Sequence, residues 1–227
     1  MKKKKSIIFP LVIFFTTIFS ITFSDIKKSS ASPSELIYKS EKSLKRFLSD
    51  QSYSRLHSLI KDAQAIIIFP NMLKGGFFLG IEGGDGVLII KENQEWTSPL
   101  FFTMGSVSFG FQIGVTDAEV LLTIMTKRGL QTILDHRVKL GADVSVSAGP
   151  VGFGAEVATT IKLADIYSFS RGRGLYAGIS VEGSYIHPNE DLNQQYYGKD
   201  IDVGERSSYK ELLETGSDNF NKILGNR

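Results

Sequence analysis

Cysteine is absent from the 227 residues, and that one gap removes disulfides, thiolate metal sites, cysteine nucleophiles and a lipid-modified N-terminal cysteine together. Any membrane attachment is therefore non-lipidated, and stability must come from packing. Histidine is scarce: His57, His136 and His187 lie far apart with no i, i+4 pair, so the helical zinc motif is excluded and no metal site is expected. There is no Walker loop, no G-x-S-x-G elbow and no self-similarity at a period of about 20–50 residues. A large excess of charge is missing too. The formal net charge is +2, but six of the 26 basic residues and one of the 24 acidic ones precede position 32, which leaves 20 against 23, a balance of −3. A mildly acidic body argues against nucleic acid as a partner, since phosphate neutralisation needs a basic face.

What is present is a globular composition, 42% hydrophobic and 22% charged, of a size that favours one domain. Lys2–Lys5 form a charged segment, and Ile7–Phe23 an apolar run broken only by Pro10, Thr16, Thr17, Ser20 and Thr22. That is the layout of a secretory signal, and Ser29 and Ala31 fit a small-residue cleavage site after Ala31. The alternative is an uncleaved N-terminal anchor; Pro10 and the four hydroxyl residues weaken it. Residues 1–31 are thus expected to direct export, to a periplasmic or extracellular location with peripheral membrane association.

Ser34–Leu48 has helical periodicity, with Ser34 as cap, Ile37, Leu44, Phe47 and Leu48 on one side, and Lys39, Lys42 and Arg46 on another. A second short helix is expected within Tyr53–Gln64. Ala65–Phe69 is β-branched and aromatic and reads as a buried strand closed by Pro70. The glycine-dense stretch that follows predicts strands at Phe77–Ile81, Gly86–Lys91, Leu100–Thr103 and Ser106–Ile113. Val120, Leu121, Ile124, Leu130, Ile133 and Leu134 recur at helical spacing behind a Thr116/Asp117 cap, so Thr116–Asp135 is expected to be a helix lying on the sheet. Further strands are predicted at Ala142–Ala148, Gly152–Thr160, Ile166–Ser170 and Leu175–Ile186, then a short helix at Ser207–Glu214. Phe220 and Ile223 stand in an otherwise polar end expected to fray. The fold class is α+β: a β-rich antiparallel core, N-terminal amphipathic helices and one central helix packed on the sheet.

Catalytic readings find little support. Gly172–Ala177 matches G-x-G-x-x-A, but a strand rather than a helix is expected to follow, so no pyrophosphate site forms. Ser58–Lys61 fits S-x-x-K without its companion motifs. Asp143, Glu156, Asp165 and Glu182 leave open a hydrolase with two close carboxylates, the weakest of the readings. Of the aromatic residues Phe77, Phe78, Trp96, Phe101 and Phe102, the adjacent pairs point to opposite sheet faces. Either both faces are buried, or one exposes an apolar patch for lipid or protein.

Several segments resemble the SYLF lipid-binding domain family: Ile68-Phe69-Pro70 with Lys74-Gly75-Gly76-Phe77, then Trp96-Thr97-Ser98-Pro99, Gly110, Gln112 and Gly114, and Thr116-Asp117. The same holds for Leu140-Gly141-Ala142-Asp143 through Ala148-Gly149-Pro150-Val151-Gly152, and for Tyr167-Ser168-Phe169-Ser170-Arg171 leading to Gly174-Leu175-Tyr176-Ala177-Gly178 and Glu182-Gly183. Together they cover residues 36–214 in the family's order, with Phe169 where Tyr is frequent and Arg173 where Lys is common. The resemblance places a SYLF-like domain at 32–214 and a polar tail at 215–227. It implies a β-rich α+β domain that binds membrane lipid through a basic amphipathic N-terminal helix; some members also bind actin.

For an exported chain neither actin nor much phosphoinositide is expected as partner. What carries over is affinity for an anionic phospholipid surface, without cofactor or catalysis. The matching residues are Lys39, Lys42, Lys45 and Arg46 on the helix, with Arg171 and Arg173 on a loop. Glu35, Glu41 and Asp50 offset part of that charge. The alternative is an envelope protein-interaction or structural module in which the helix is buried against the sheet and its lysines are a solvated face.

Overall fold

Ile66-Ile67-Ile68-Phe69 has no polar residue to turn outward, and a strand puts successive side chains on opposite faces, so this segment needs cover on both sides. The computed structural model describes residues 31–76, 79–109, 114–135, 137–149, 164–173, 181–205 and 218–225, and puts the segment mid-sheet, all four side chains fully buried. The strands are β1 (Ala65–Gly76), β2 (Leu79–Glu92), β3 (Glu95–Trp96), β4 (Leu100–Phe109), β5 (Gly114–Ile124), β6 (Val138–Lys139), β7 (Val146–Ala148), β8 (Ile166–Arg173) and β9 (Tyr185–Pro188). Their order is β6-β9-β4-β2-β1-β5-β8-β7, with β3 off this path on β2. Pairings between the named strands are antiparallel except the parallel β7–β8 pair.

One face carries Ile67, Phe69, Leu88, Phe102, Val120 and Leu122, packed with Ile133 and Leu134 of helix α3 (Lys127–Leu134) and with Val138 and Ile186. The other carries Ile66, Ile68, Val87, Leu121 and Phe169 and is covered by helix α1 (Pro33–Ser49), whose Leu36, Leu44, Phe47 and Leu48 are buried. Phe47 meets Tyr53 edge-on at 5.1 Å, and Tyr53 meets Phe169 at 6.1 Å. At the middle of the sheet both faces are therefore buried, and Phe101 and Phe102 divide between them as adjacent strand residues must; Phe77 and Phe78 lie outside the described residues. The α+β class is as expected.

Boundaries differ where local signals compete. Ser32, not Ser34, caps α1: its hydroxyl accepts the Glu35 N–H at 3.3 Å, with Pro33 at the first helical position. Leu36 rather than Ile37 opens the buried stripe. Pro70 does not end β1. It sits where both ladders shift register, between Ile68 and Leu73 toward β2 and between Phe69 and Met72 toward β5, so its missing N–H interrupts no regular pair. The predicted strands at Gly86–Lys91 and Leu100–Thr103 extend into long β2 and β4, and glycine in β2 has a packing reason: a Cβ at Gly86 would lie 2.5 Å from the Phe69 ring.

The expected helix at Thr116–Asp135 is corrected. Its first part is β5, central and buried on both faces, and a strand with two apolar faces loses the alternation that marks strands in sequence. Only Lys127–Leu134 is helical, capped by the Thr126 hydroxyl, which accepts from Gly129 N–H at 2.9 Å. Gly129 does not break it; a Cβ there would meet Asp165 Cβ at 3.0 Å. The second N-terminal helix is shorter than expected, a 3-10 turn at Gln51–Tyr53 and α2 at Leu56–Asp62.

Helix α4 (Glu190–Tyr197) was not expected; its buried Asn193 accepts the Phe101 N–H at 2.9 Å and donates to the Phe101 carbonyl at 3.0 Å. The end expected to fray contains α5 (Asp218–Gly225), held by fully buried Phe220 and by Asn221, which bonds both backbone groups of Trp96. The predicted elements at Gly152–Thr160 and Ser207–Glu214 lie outside the described residues, as does the start of Leu175–Ile186.

Asp165 ties three segments together. Its carboxylate accepts from the Thr126 and Ser145 hydroxyls, each at 2.6 Å, and from the Arg128 guanidinium. Burial pushes the carboxyl up, but the hydrogen bonds from Ser145 and Thr126, with the charge of Arg128, outweigh this and hold it below the ordinary range. A carboxyl with a lowered folded pKa stabilises the fold above its unfolded value, near about 3.9, and loses that contribution as pH falls through the folded value. Asp165→Asn should therefore cost about 2 kcal/mol at neutral pH and flatten the acid limb of a stability-versus-pH curve measured by urea unfolding.

Candidate functional site

The six basic residues singled out in the sequence do not form one cluster. Because Leu36, Leu44, Phe47 and Leu48 are spent on the sheet, α1 offers solvent only its polar face. On that face Lys42 and Lys45 are exposed, and neither has a carboxylate partner among the described residues. Lys39 is bonded to Glu35 one turn back at 2.7 Å, a solvent-exposed pair of small energetic weight. Tyr38, 58% exposed, stands beside them with Lys42 Nζ 5.4 Å from its ring centroid. Sequence reasoning passed over Tyr38, although its i, i+4 spacing to Lys42 and i, i+7 spacing to Lys45 put an amphipathic aromatic on the lysine face.

Arg46, expected with the lysines, turns to the sheet instead. Its guanidinium holds Glu119 of β5 through two nitrogens, one contact being Nε to Oε2 at 3.2 Å, and the Glu119 side chain is only 5% exposed. The pair satisfies an otherwise costly buried carboxylate. Arg171 is not on a loop: it lies on β8 directly opposite Glu119, half-buried, close enough to act on Asp50 and Tyr53. The Asp50 carboxyl lies below its usual range because of hydrogen bonds from the Ser52 backbone and side chain, with Arg171 assisting against burial; burial pushes the Tyr53 hydroxyl up. Arg173 is also on β8, opposite Asp117, and its side chain lies outside the described residues.

One titratable group stands apart. Glu82 on β2 is buried, its Oε1 has no hydrogen-bond partner, and Lys74 Nζ is 4.0 Å from Oε2. Burial pushes its carboxyl up, and Lys74 offsets only part of that. No histidine or second carboxylate pairs with it in the strand register, where it faces Lys74 and Ser106. Of the carboxylates considered for hydrolysis, Asp165 is held in the hydrogen-bond cluster above, Asp143 accepts from the Lys139 N–H at 2.7 Å, Glu182 is exposed, and Glu156 lies outside the described residues. Among the described residues no three His, Asp or Glu side chains gather as metal ligands, and no described helix is long and apolar enough to cross a membrane.

The comparisons with known proteins meet this geometry. Residues 105–215 match the Ysc84 family, described as "Las17-binding protein actin regulator". Over that segment, just under half of the chain, the protein is similar to the Ysc84, or SYLF, domain family. LAS seventeen-binding protein 3 of Saccharomyces cerevisiae is 30% identical over 145 residues, 62% of this chain and 31% of that protein. Protein YSC84 of the same yeast is 28% identical over 174 residues, 74% of this chain and 37% of that protein. The human SH3 domain-containing YSC84-like protein 1 is 25% identical over 146 residues, 63% of this chain and 42% of that protein. The chain thus spans less than half the length of each of these relatives. The first is named for binding and the third for an SH3 domain, and none of the three names is that of an enzyme. The expectation that actin has no part is not borne out, since the matched family's description names actin regulation.

Two predictions separate structural from surface charge. Arg46→Ala strands the buried Glu119 and should destabilise by about 2–3 kcal/mol, the low end for a partly exposed pair, whereas Lys42→Glu with Lys45→Glu should stay within about 0.5 kcal/mol of the parent; thermal and urea unfolding report both. A raised folded pKa makes Glu82 cost stability as pH climbs from its unfolded value near about 4.3 through the folded one. Glu82→Gln should therefore gain on the parent with rising pH; a difference that stays constant with pH would contradict this.

Proposed function

We propose that this SYLF domain is a non-catalytic binding module that docks peripherally on an anionic phospholipid surface through the solvent face of α1. The observation that carries the reading is Lys42 and Lys45, exposed and without a carboxylate partner among the described residues, beside exposed Tyr38. Lysines near an anionic leaflet contribute about 1 kcal/mol each, and tyrosine favours the head-group layer, where one end of its ring meets apolar surface and the other water. Contact of this kind needs no undocking of the helix, so the apolar stripe of α1 stays in the core. Lys39 adds charge once its exposed pair with Glu35 is shared with phosphate. Arg46 is a structural residue in this reading, and Arg171 a neighbour at the C-terminal end of α1. Residues 1–31 supply export, and the surface met is that of the cell envelope.

A second reading is supported by the relatives: one is named for binding Las17, which makes a protein-interaction module the alternative. The compact unit Ser32–Arg227, mixed with vesicles of phosphatidylcholine alone and with phosphatidylglycerol in equal parts, tests the choice. Sedimentation should require the anionic lipid, weaken from low to physiological salt, and fall at least about thirtyfold with Lys42→Glu plus Lys45→Glu, since losing two lysines at about 1 kcal/mol each already removes about 2 kcal/mol. Equal recovery with both vesicle types rejects docking on an anionic surface through the α1 lysines, and none with either rejects the lipid reading and leaves the protein-interaction module.

A further inference from the structure

Leu73, Ile81 and Val107 are large apolar side chains that the fold leaves in water, 55%, 57% and 64% exposed. They lie on three adjacent strands, β1, β2 and β4. Ile81 pairs directly with Val107, while Leu73 pairs with Gly83, two residues along β2 from Ile81. The period of two therefore puts all three on one face, where cross-strand neighbours touch. The residues between them on that face are glycines: Gly75 opposite Ile81, and Gly83 opposite Gly105. Among the described residues no polar side chain interrupts the stripe. In sequence, no charged residue occurs from Gly75 through Ile81 or from Gly105 through Thr116.

The same face changes character toward β8. Leu73 pairs with Asp117, which pairs with Arg173, and Arg171 stands two residues along β8 from Arg173. Asp117, the acid between, accepts a hydrogen bond from Asn71 at 3.3 Å. Apolar side chains at one side and Arg171 at the other on a single face match a lipid interface, where hydrocarbon lies beside a layer of phosphate. The face is the one that α1 covers further along, where Ile68 and Leu121 lie, and α1 leaves this end open.

We infer that the Leu73–Ile81–Val107 stripe is a second membrane contact, a sheet end that enters the head-group and acyl boundary of a phospholipid bilayer. This rests on the peripheral-docking reading but assigns the apolar part of binding to the sheet, since the apolar stripe of α1 is buried. The absence of cysteine makes a clean test available in the full chain: Val107→Cys and, as control, exposed Glu95→Cys each take one environment-sensitive fluorophore. On vesicles of phosphatidylcholine and phosphatidylglycerol in equal parts, the label at 107 should shift to the blue and be quenched by lipids nitroxide-labelled on the acyl chain. The label at 95 should do neither. Ile81→Thr with Val107→Thr keeps β-branched residues at both strand positions and should lower partitioning of the Ser32–Arg227 unit about tenfold.

A label at 107 that stays aqueous on sedimented protein overturns the inference; if Lys42→Glu plus Lys45→Glu still weakens sedimentation, the α1 reading survives alone. Insertion at 107 with no effect of those lysine changes upholds the stripe and rejects α1. A blue-shifted label without lipid, together with a dimer in sedimentation velocity, makes a second copy of the chain the occupant and overturns the membrane assignment.

Discussion

A sheet whose central strands are apolar on both faces must be covered twice, and the rest of this molecule follows from that requirement. Ile66 through Phe69 on β1, and Val120 through Leu122 on β5, are all fully buried. One face takes α3 with the segments around Val138 and Ile186; the other takes α1. Burying a Leu or Phe side chain gains about 1.5–3 kcal/mol, so the four buried apolar residues Leu36, Leu44, Phe47 and Leu48 of α1 are worth far more in the core than any docking lysine outside it. Within that interface the hydroxyls of Ser40 and Ser43 are buried without partners, a cost that the apolar contacts carry. An amphipathic helix has one apolar face. Here the sheet holds it, and only charge and one tyrosine remain for a surface outside.

Three of the buried carboxylates show three solutions to one electrostatic problem. Glu119 is matched by a guanidinium, Asp165 by hydroxyl donors and a guanidinium, and Glu82 by a lysine at 4.0 Å that leaves one oxygen unpaired. Desolvation penalises an ionised carboxylate unless donors replace water, so the first two fix helices α1 and α3 to the sheet. Their role is positional. Arg46 illustrates the consequence: it shares a sequence pattern with the exposed lysines and shares none of their freedom.

Seen as a binding module, the SYLF domain separates charge from apolar area. Lysines ride on the outside of a helix one layer above the sheet, while exposed Leu73, Ile81 and Val107 sit on the sheet itself. The matched family is described as a Las17-binding actin regulator and one yeast relative is named for binding, and a scaffold with two distinct surfaces suits that description.

Much was legible in the chain alone: the α+β class, the basic amphipathic first helix, the buried strand at Ala65–Phe69 and the family itself through its ordered glycine and aromatic segments. These depend on local periodicity and on short-range turn chemistry, which sequence carries directly. The helix misread over β5 marks the limit of that signal, because a strand covered on both faces has no alternation to read. Pro70 marks another, since a bulge that both neighbouring strands accommodate is a property of three strands together. Which cation stays exposed and which one is consumed, Lys42 or Arg46, was decided by Glu119, 73 residues from Arg46 in sequence. The apolar stripe likewise exists only because three registers bring Leu73, Ile81 and Val107 side by side. Sequence determined which residues carry charge and apolar area; tertiary structure decided which of them face water, because burial belongs to the pairing of distant segments and not to any one of them.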